Sequence, residues 1–192
     1  MSKGRLEAFS DGVIAIIITI MVMEMKAPAS ADWSALHPMI PVFLSYALSF
    51  VFLGIYWNNH HHLFQAVKHV NGTVLWANLH LLFWLSMVPF ATAWMGENHF
   101  EPSPVALYGF VLLFAAIAYY ILARTLVTLH GQDSTLAVAL GADFKGKISI
   151  VIYVSGILFS YFNPVIANLL YIAVAIMWLV PDKRIEKILS HK

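Results

Sequence analysis

The chain has 192 residues, of which 60% are hydrophobic and only 11% charged, and its mean hydropathy is +0.77. That composition excludes an ordinary soluble domain and points to an integral membrane protein. The net charge of +1 averages an uneven placement of charges, so the total carries no signal for nucleic acid, and the lack of Cys excludes disulfides, thiol catalysis and thiolate metal sites.

The first element, Arg5 to Lys26, reads as a membrane-spanning helix: Val13 to Met23 is apolar apart from Thr19, and Ser10 and Asp11 stand at its entrance. A secretory leader is the competing reading, since Lys3 and Arg5 precede the apolar run and small residues follow at Ala27 to Ala31. Glu7, Asp11, Glu24 and Lys26 argue against it. A polar group at membrane depth costs roughly 2.5 to 3.5 kcal/mol on insertion scales, which makes Asp11 a functional candidate that needs partners.

A second apolar stretch runs from about Pro38 to Trp57 and continues through Asn58-Asn59-His60-His61-His62 to Lys68, with Pro38 and Pro41 in its first turn. The third runs from about Val74 to Met95 and carries Asn78, His80, Ser86 and Pro89. The fourth, Val105 to Leu129, is apolar almost throughout, as suits a helix facing lipid. Each is long enough to cross a bilayer. A loop from His130 to Lys147 leads to Ile148–Phe162 and Val165–Val180, two shorter runs separated by Asn163-Pro164.

Those two runs allow either one kinked crossing or a hairpin. Lys145 and Lys147 precede the pair and Lys183, Arg184 and Lys187 follow it, so the positive-inside rule favours two crossings. With six spans and both termini cytoplasmic, ten of the eleven basic residues lie inside and Lys26 alone lies outside. The expected fold is an all-α, multi-pass membrane protein, one domain over residues 1–192, without internal repeats or the broken helices typical of transporters in its first four spans.

On a helical wheel Arg5, Phe9, Gly12, Ile16, Thr19 or Ile20, and Met23 fall on one stripe of the first helix, and Asp11 lies off it. If the stripe faces a symmetry axis, Ser10 and Asp11 point into their own subunit, where Trp57, His60, His61 and Asn78 are the candidate partners. Such a network can equally be glue between three helices, and Thr19 can simply bond the carbonyl one turn back. The adjacent histidines His60 to His62 point in different directions on a helix, so a pH sensor suits them better than a metal site. No phosphate loop, hydrolase elbow, zinc-protease motif, voltage-sensor repeat or common potassium filter is present, which disfavours an enzyme.

The run RLEAFSDG, with Arg5, Phe9, Ser10 and Asp11, followed by VIAIIITIMVMEM, resembles the Arg-x-x-x-Phe-Ser-Asp signature of the transmembrane protein 175 family of lysosomal and bacterial potassium channels. YWNNHHHLF and LWANLHLLFWLSMVPFAT, with Trp57, His60, His61, Asn78 and Pro89-Phe90, are similar to that family's second and third helices. The resemblance covers the first half well; the second half agrees in hydropathy.

It implies a potassium leak channel in the cell membrane, built as a homotetramer whose first helices line the pore. The narrow ring would fall on Ile16, with Ile20 and Met23 further along and Thr19 as the polar wall residue. Met23 departs from the branched aliphatic residue expected there. No cofactor or metal is expected, only permeant potassium, lipid and further copies of the chain, and no nucleic acid. The competing readings are a proton or proton-coupled pathway through Asp11 and the histidines, a secondary transporter, and a non-conducting scaffold.

Overall fold

The computed structural model describes residues 2–141 and 144–179, and every regular element among them is helical. Helix α1 is Lys3–Met23, α2 Ile40–Gln65, α3 Gly72–Ser86, α4 Val88–Glu97, α5 Pro102–His130, α6 Thr135–Leu140, α7 Phe144–Ser160 and α8 Pro164–Leu179; a 3-10 helix, Trp33–Met39, precedes α2. Among the described residues, four helical segments are long and apolar enough to cross a membrane, namely α1, the 3-10 helix with α2, α3 with α4, and α5. Helix α8 is a shorter apolar helix of 16 residues. The protein is therefore a multi-pass membrane protein.

Local chemistry sets the helix ends. Ser2 caps α1 by accepting from the Arg5 amide, and Asn71 caps α3 by accepting from the Val74 amide, each meeting an amide that has no partner within its helix. Pro41, not Pro38, occupies the first turn of α2; Pro38 sits inside the 3-10 helix before it. The expected single third helix is interrupted at Met87. Pro89 stands at the start of α4, and with no amide hydrogen and a ring that crowds the carbonyl one turn back, it breaks the ladder while the chain continues in nearly the same course. The third span is thus two helices end to end within one membrane-long segment.

Two further expectations are corrected. The stretch His130 to Lys147 is not one loop: it includes α6, and Lys145 and Lys147 lie within α7. Helix α5 is not a lipid-facing helix but the centre of the bundle, packed against α3, α4, α7 and α8. Half of its apolar span is buried among these neighbours, and a strip through Phe110 and Ile121 is left exposed. At Gly109 the ring of Tyr171 from α8 lies where a Cβ would stand, and at Gly156 of α7 the same ring does so from the other side.

The fifth and sixth apolar runs form two separate helices, α7 and α8, packed against each other. The basic residues gather toward one end of the bundle. Lys3 and Arg5 at the start of α1, Lys68 after α2, Arg124 near the end of α5, and Lys145 and Lys147 in α7 share one end, and Lys26, Asp32, Glu97 and Glu101 the other. Lys183, Arg184, Lys187 and Lys192 lie outside the described residues.

Candidate functional site

Helix α1 buries one stripe and leaves the opposite one bare. Leu6, Ser10, Ile14, Ile17 and Met21 are buried against α2, α3 and α4. On the other side Phe9 is 50% exposed, Ile16 60%, Ile20 42% and Met23 75%, with Arg5, Gly12 and Thr19 also exposed. The bare stripe is the one the helical wheel draws. It is apolar except for Arg5 at its basic end and Thr19, whose hydroxyl donates to the Ala15 carbonyl at 2.9 Å. Ile16 and Ile20 also edge a groove of about 450 Å³ between α1 and α4, shared with Glu24, Ser86, Pro89 and Phe90. Glu24 and Ser86 are absent from the sequence-based candidates, though Glu24 lies one helical turn beyond Ile20.

The polar residues near the start of α1 separate into two groups. Ser10 is fully buried. His60 Nε2 donates to the Asn78 side-chain oxygen at 2.7 Å, Asn78 Nδ2 donates to Ser10 Oγ at 2.9 Å, and Ser10 Oγ donates to the Leu6 carbonyl at 2.9 Å. This relay joins α2, α3 and α1, and each buried donor in it meets an acceptor.

Asp11 is exposed in the single chain and turns to Trp57, one of the candidate partners within its own subunit. It accepts one bond, from Trp57 Nε1 at 3.0 Å. The reason is angular: adjacent residues lie 100° apart on a helix, so Ser10 faces inward and Asp11 does not. His61 does not join the relay either; its ring stacks on Trp57 and bonds Gln65.

Two features of this region have no counterpart among the sequence-based candidates. Lys3 Nζ donates to the carbonyls of Phe64 at 2.8 Å and Val67 at 3.2 Å, placing a cation at the carbonyl end of α2. In the core a second relay runs from Tyr108 Oη to Ser49 Oγ at 2.9 Å, from Ser49 to Thr92 Oγ1 at 2.7 Å, and from Thr92 to the Val88 carbonyl at 2.7 Å. It fastens α5 to α2 and α4. Serine and threonine in an apolar sequence signal such pairs without saying which helices they join.

A family model described as endosomal/lysosomal potassium channel TMEM175 matches residues 5–89, a span holding every residue of the Ser10 relay and of the bare stripe. A potassium channel of Chryseobacterium sp. (strain P1-3) is 59% identical over 191 residues, with 100% of both chains covered. An endosomal/lysosomal proton channel of Mus musculus is 28% identical over 206 residues, covering 94% of this chain and 41% of the mouse protein. The crystal structure of a lysosomal potassium-selective channel homologue from Chamaesiphon minutus superposes with a TM-score of 0.81 at 25% identity, covering 94% of this chain and 97% of that one.

Proposed function

This chain belongs to the TMEM175 family, and we propose that it is the subunit of a potassium-selective leak channel whose pore is lined by the bare stripe of α1. The observation that carries this reading is the four apolar side chains at Phe9, Ile16, Ile20 and Met23 left uncovered in a helix long enough to cross a membrane. An exposed apolar face with a single hydroxyl is what a helix presents when further copies of itself surround an axis.

In this reading the chain is one domain over residues 1–192 that crosses the cell membrane six times with both termini cytoplasmic. The basic end of the bundle lies inside, and the assembly is a homotetramer, as the family resemblance implies. Helices α7 and α8, of 17 and 16 residues, supply the last two crossings. Over their described residues they are roughly 25 Å long, and local thinning of the bilayer and snorkelling of Lys145 and Lys147 accommodate the difference from a core of about 30 Å.

Ile16 forms the narrow ring. It offers an ion no ligand, so it blocks by dewetting when tight and passes a partly hydrated ion when wider. Potassium releases water more readily than sodium, and that difference favours it at such a ring. Because the Thr19 proton is already donated to Ala15, its oxygen lone pairs remain for a cation that has shed water one turn further on. The relay through Ser10, Asn78 and His60 holds α1 against α2 and α3, so the ring keeps its diameter.

Potassium and sodium flux into proteoliposomes, measured at two pH values for the wild type and Ile16→Asn, tests the reading. Potassium-favouring flux that becomes larger and non-selective in the variant supports it. Equal fluxes in both proteins remove Ile16 from the path, and pH-driven proton movement without cation flux replaces the potassium channel by a proton pathway.

A further inference from the structure

At the basic end of the bundle, far along α5 from its Pro102 start, an open groove of about 550 Å³ lies between the beginning of α3 and the last turns of α5. Its walls are Asn71 and Thr73 on one side and Ile121, Arg124, Thr125 and Thr128 on the other, with no acidic residue among them. Arg124 is held in place from below: its Nε donates to Tyr120 Oη at 3.1 Å, and its guanidinium carbon lies 5.2 Å from the centre of the same ring. Both contacts use the side of the guanidinium near the helix. Among the described residues, its two terminal nitrogens meet no acceptor and no carboxylate.

The other wall supplies donors of the same kind. The Asn71 side-chain oxygen is engaged with the Val74 amide, which leaves its NH₂ group, and the Thr73 hydroxyl has no partner among the described residues. Thr125 and Thr128 donate their protons to the carbonyls of Ile121 and Arg124 and so present lone pairs. The groove therefore offers one fixed cation and two neutral donors to an anion, and two acceptors to a neighbouring hydroxyl.

The groove runs into an apolar surface in the direction of the bundle's middle. Ile121 and Phe110 are exposed along α5, and Trp76 and Phe83 along α3, where Trp84 closes the seam against Phe110 and Phe114. Trp76 stands one turn from Thr73, the level at which an amphipathic ring sits at a membrane surface. An anion that enters this groove with apolar chains attached can place both parts at once.

We propose that this groove is a headgroup site for an anionic phospholipid, its phosphate held by Arg124, Asn71 and Thr73 and its acyl chains laid along the seam between α3 and α5. A free phosphate satisfies the donors but leaves the seam unused. A cationic or zwitterionic headgroup brings an ammonium toward Arg124.

The test is native mass spectrometry of the full chain purified in detergent, with phosphatidylglycerol or phosphatidylcholine added, for wild type, Arg124→Gln and Ile121→Trp. The wild type is expected to retain phosphatidylglycerol about fivefold better than phosphatidylcholine, the factor one basic side chain supplies near an anionic surface. Arg124→Gln removes the cation and should bring the two lipids to parity. Ile121→Trp keeps the cation, fills the groove and should do the same, so the test survives a failure of either variant to fold.

Undiminished preference for phosphatidylglycerol in both variants overturns the site. Displacement of the bound lipid by inorganic phosphate at millimolar concentration, with no effect of Ile121→Trp, assigns the groove to free phosphate instead. Loss of oligomer in Arg124→Gln with lipid retention unchanged assigns it to a second copy of the chain.

Discussion

Asn78 of α3 donates to the hydroxyl of Ser10 on α1 across 2.9 Å, in a place where neither side chain reaches solvent. Asn78→Ala strands the His60 donor and one lone pair of Ser10, and a buried group left without a partner costs about 1–3 kcal/mol. The melting temperature of the detergent-solubilised protein should fall by roughly 2–4 °C per kcal/mol at this chain length. A double-mutant cycle with Ser10→Ala should show coupling of at least about 0.5 kcal/mol, and additive effects would mean that the two residues act separately.

The Asp11 contact with Trp57 is of a different kind, because it is exposed in the single chain. Trp57→Phe keeps a ring in place and removes the donor. We expect a smaller oligomeric fraction by size-exclusion chromatography, with the monomer's helix content by circular dichroism unchanged. An unaltered oligomer would limit the Asp11 contact to an ordinary surface bond, of about 0–1 kcal/mol.

Lys3 acts on the end of another helix. Lys3→Met keeps the length of the side chain and removes the charge from the Phe64 and Val67 carbonyls. The loss should be about 0.3–1 kcal/mol and local, appearing as faster amide exchange over residues 66–71 while amides in the middle of α5 exchange at their former rate. Uniformly faster exchange would show that Lys3 supports the whole bundle.

Packing around Tyr171 admits a sharper test. Gly109→Ala puts a methyl group into the ring from α8, and overpacking of this kind costs about 1–3 kcal/mol. The same chain carrying Tyr171→Leu as well should recover part of the loss, since the obstructing ring is gone. No recovery would place the damage in the backbone of α5 rather than in the contact.

For Thr19 the informative change is Thr19→Val, which preserves shape and removes the oxygen on the bare stripe. Stability should stay within about 0.5 kcal/mol, as for an exposed position. The potassium to sodium permeability ratio should fall about two- to tenfold, the scale of one hydrogen-bond-strength interaction. An unchanged ratio would leave selectivity to the Ile16 ring alone.

Much of this protein was legible before its structure, and for a physical reason. In a bilayer the backbone has to satisfy itself within each helix, so hydropathy by itself determined the apolar elements, and a 100° step per residue determined which side of α1 carries Phe9, Ile16, Thr19, Ile20 and Met23. What happens between helices is not written in either rule. That Asn78 meets Ser10 while Asp11 turns outward, that Lys3 reaches the end of α2, and that α5 is the centre of the bundle and not its rim depend on which faces pack together. Lipid is as apolar as leucine, so hydropathy cannot tell a buried face from a lipid-facing one; small residues, hydroxyl pairs and steric fit made that choice in the tertiary structure alone.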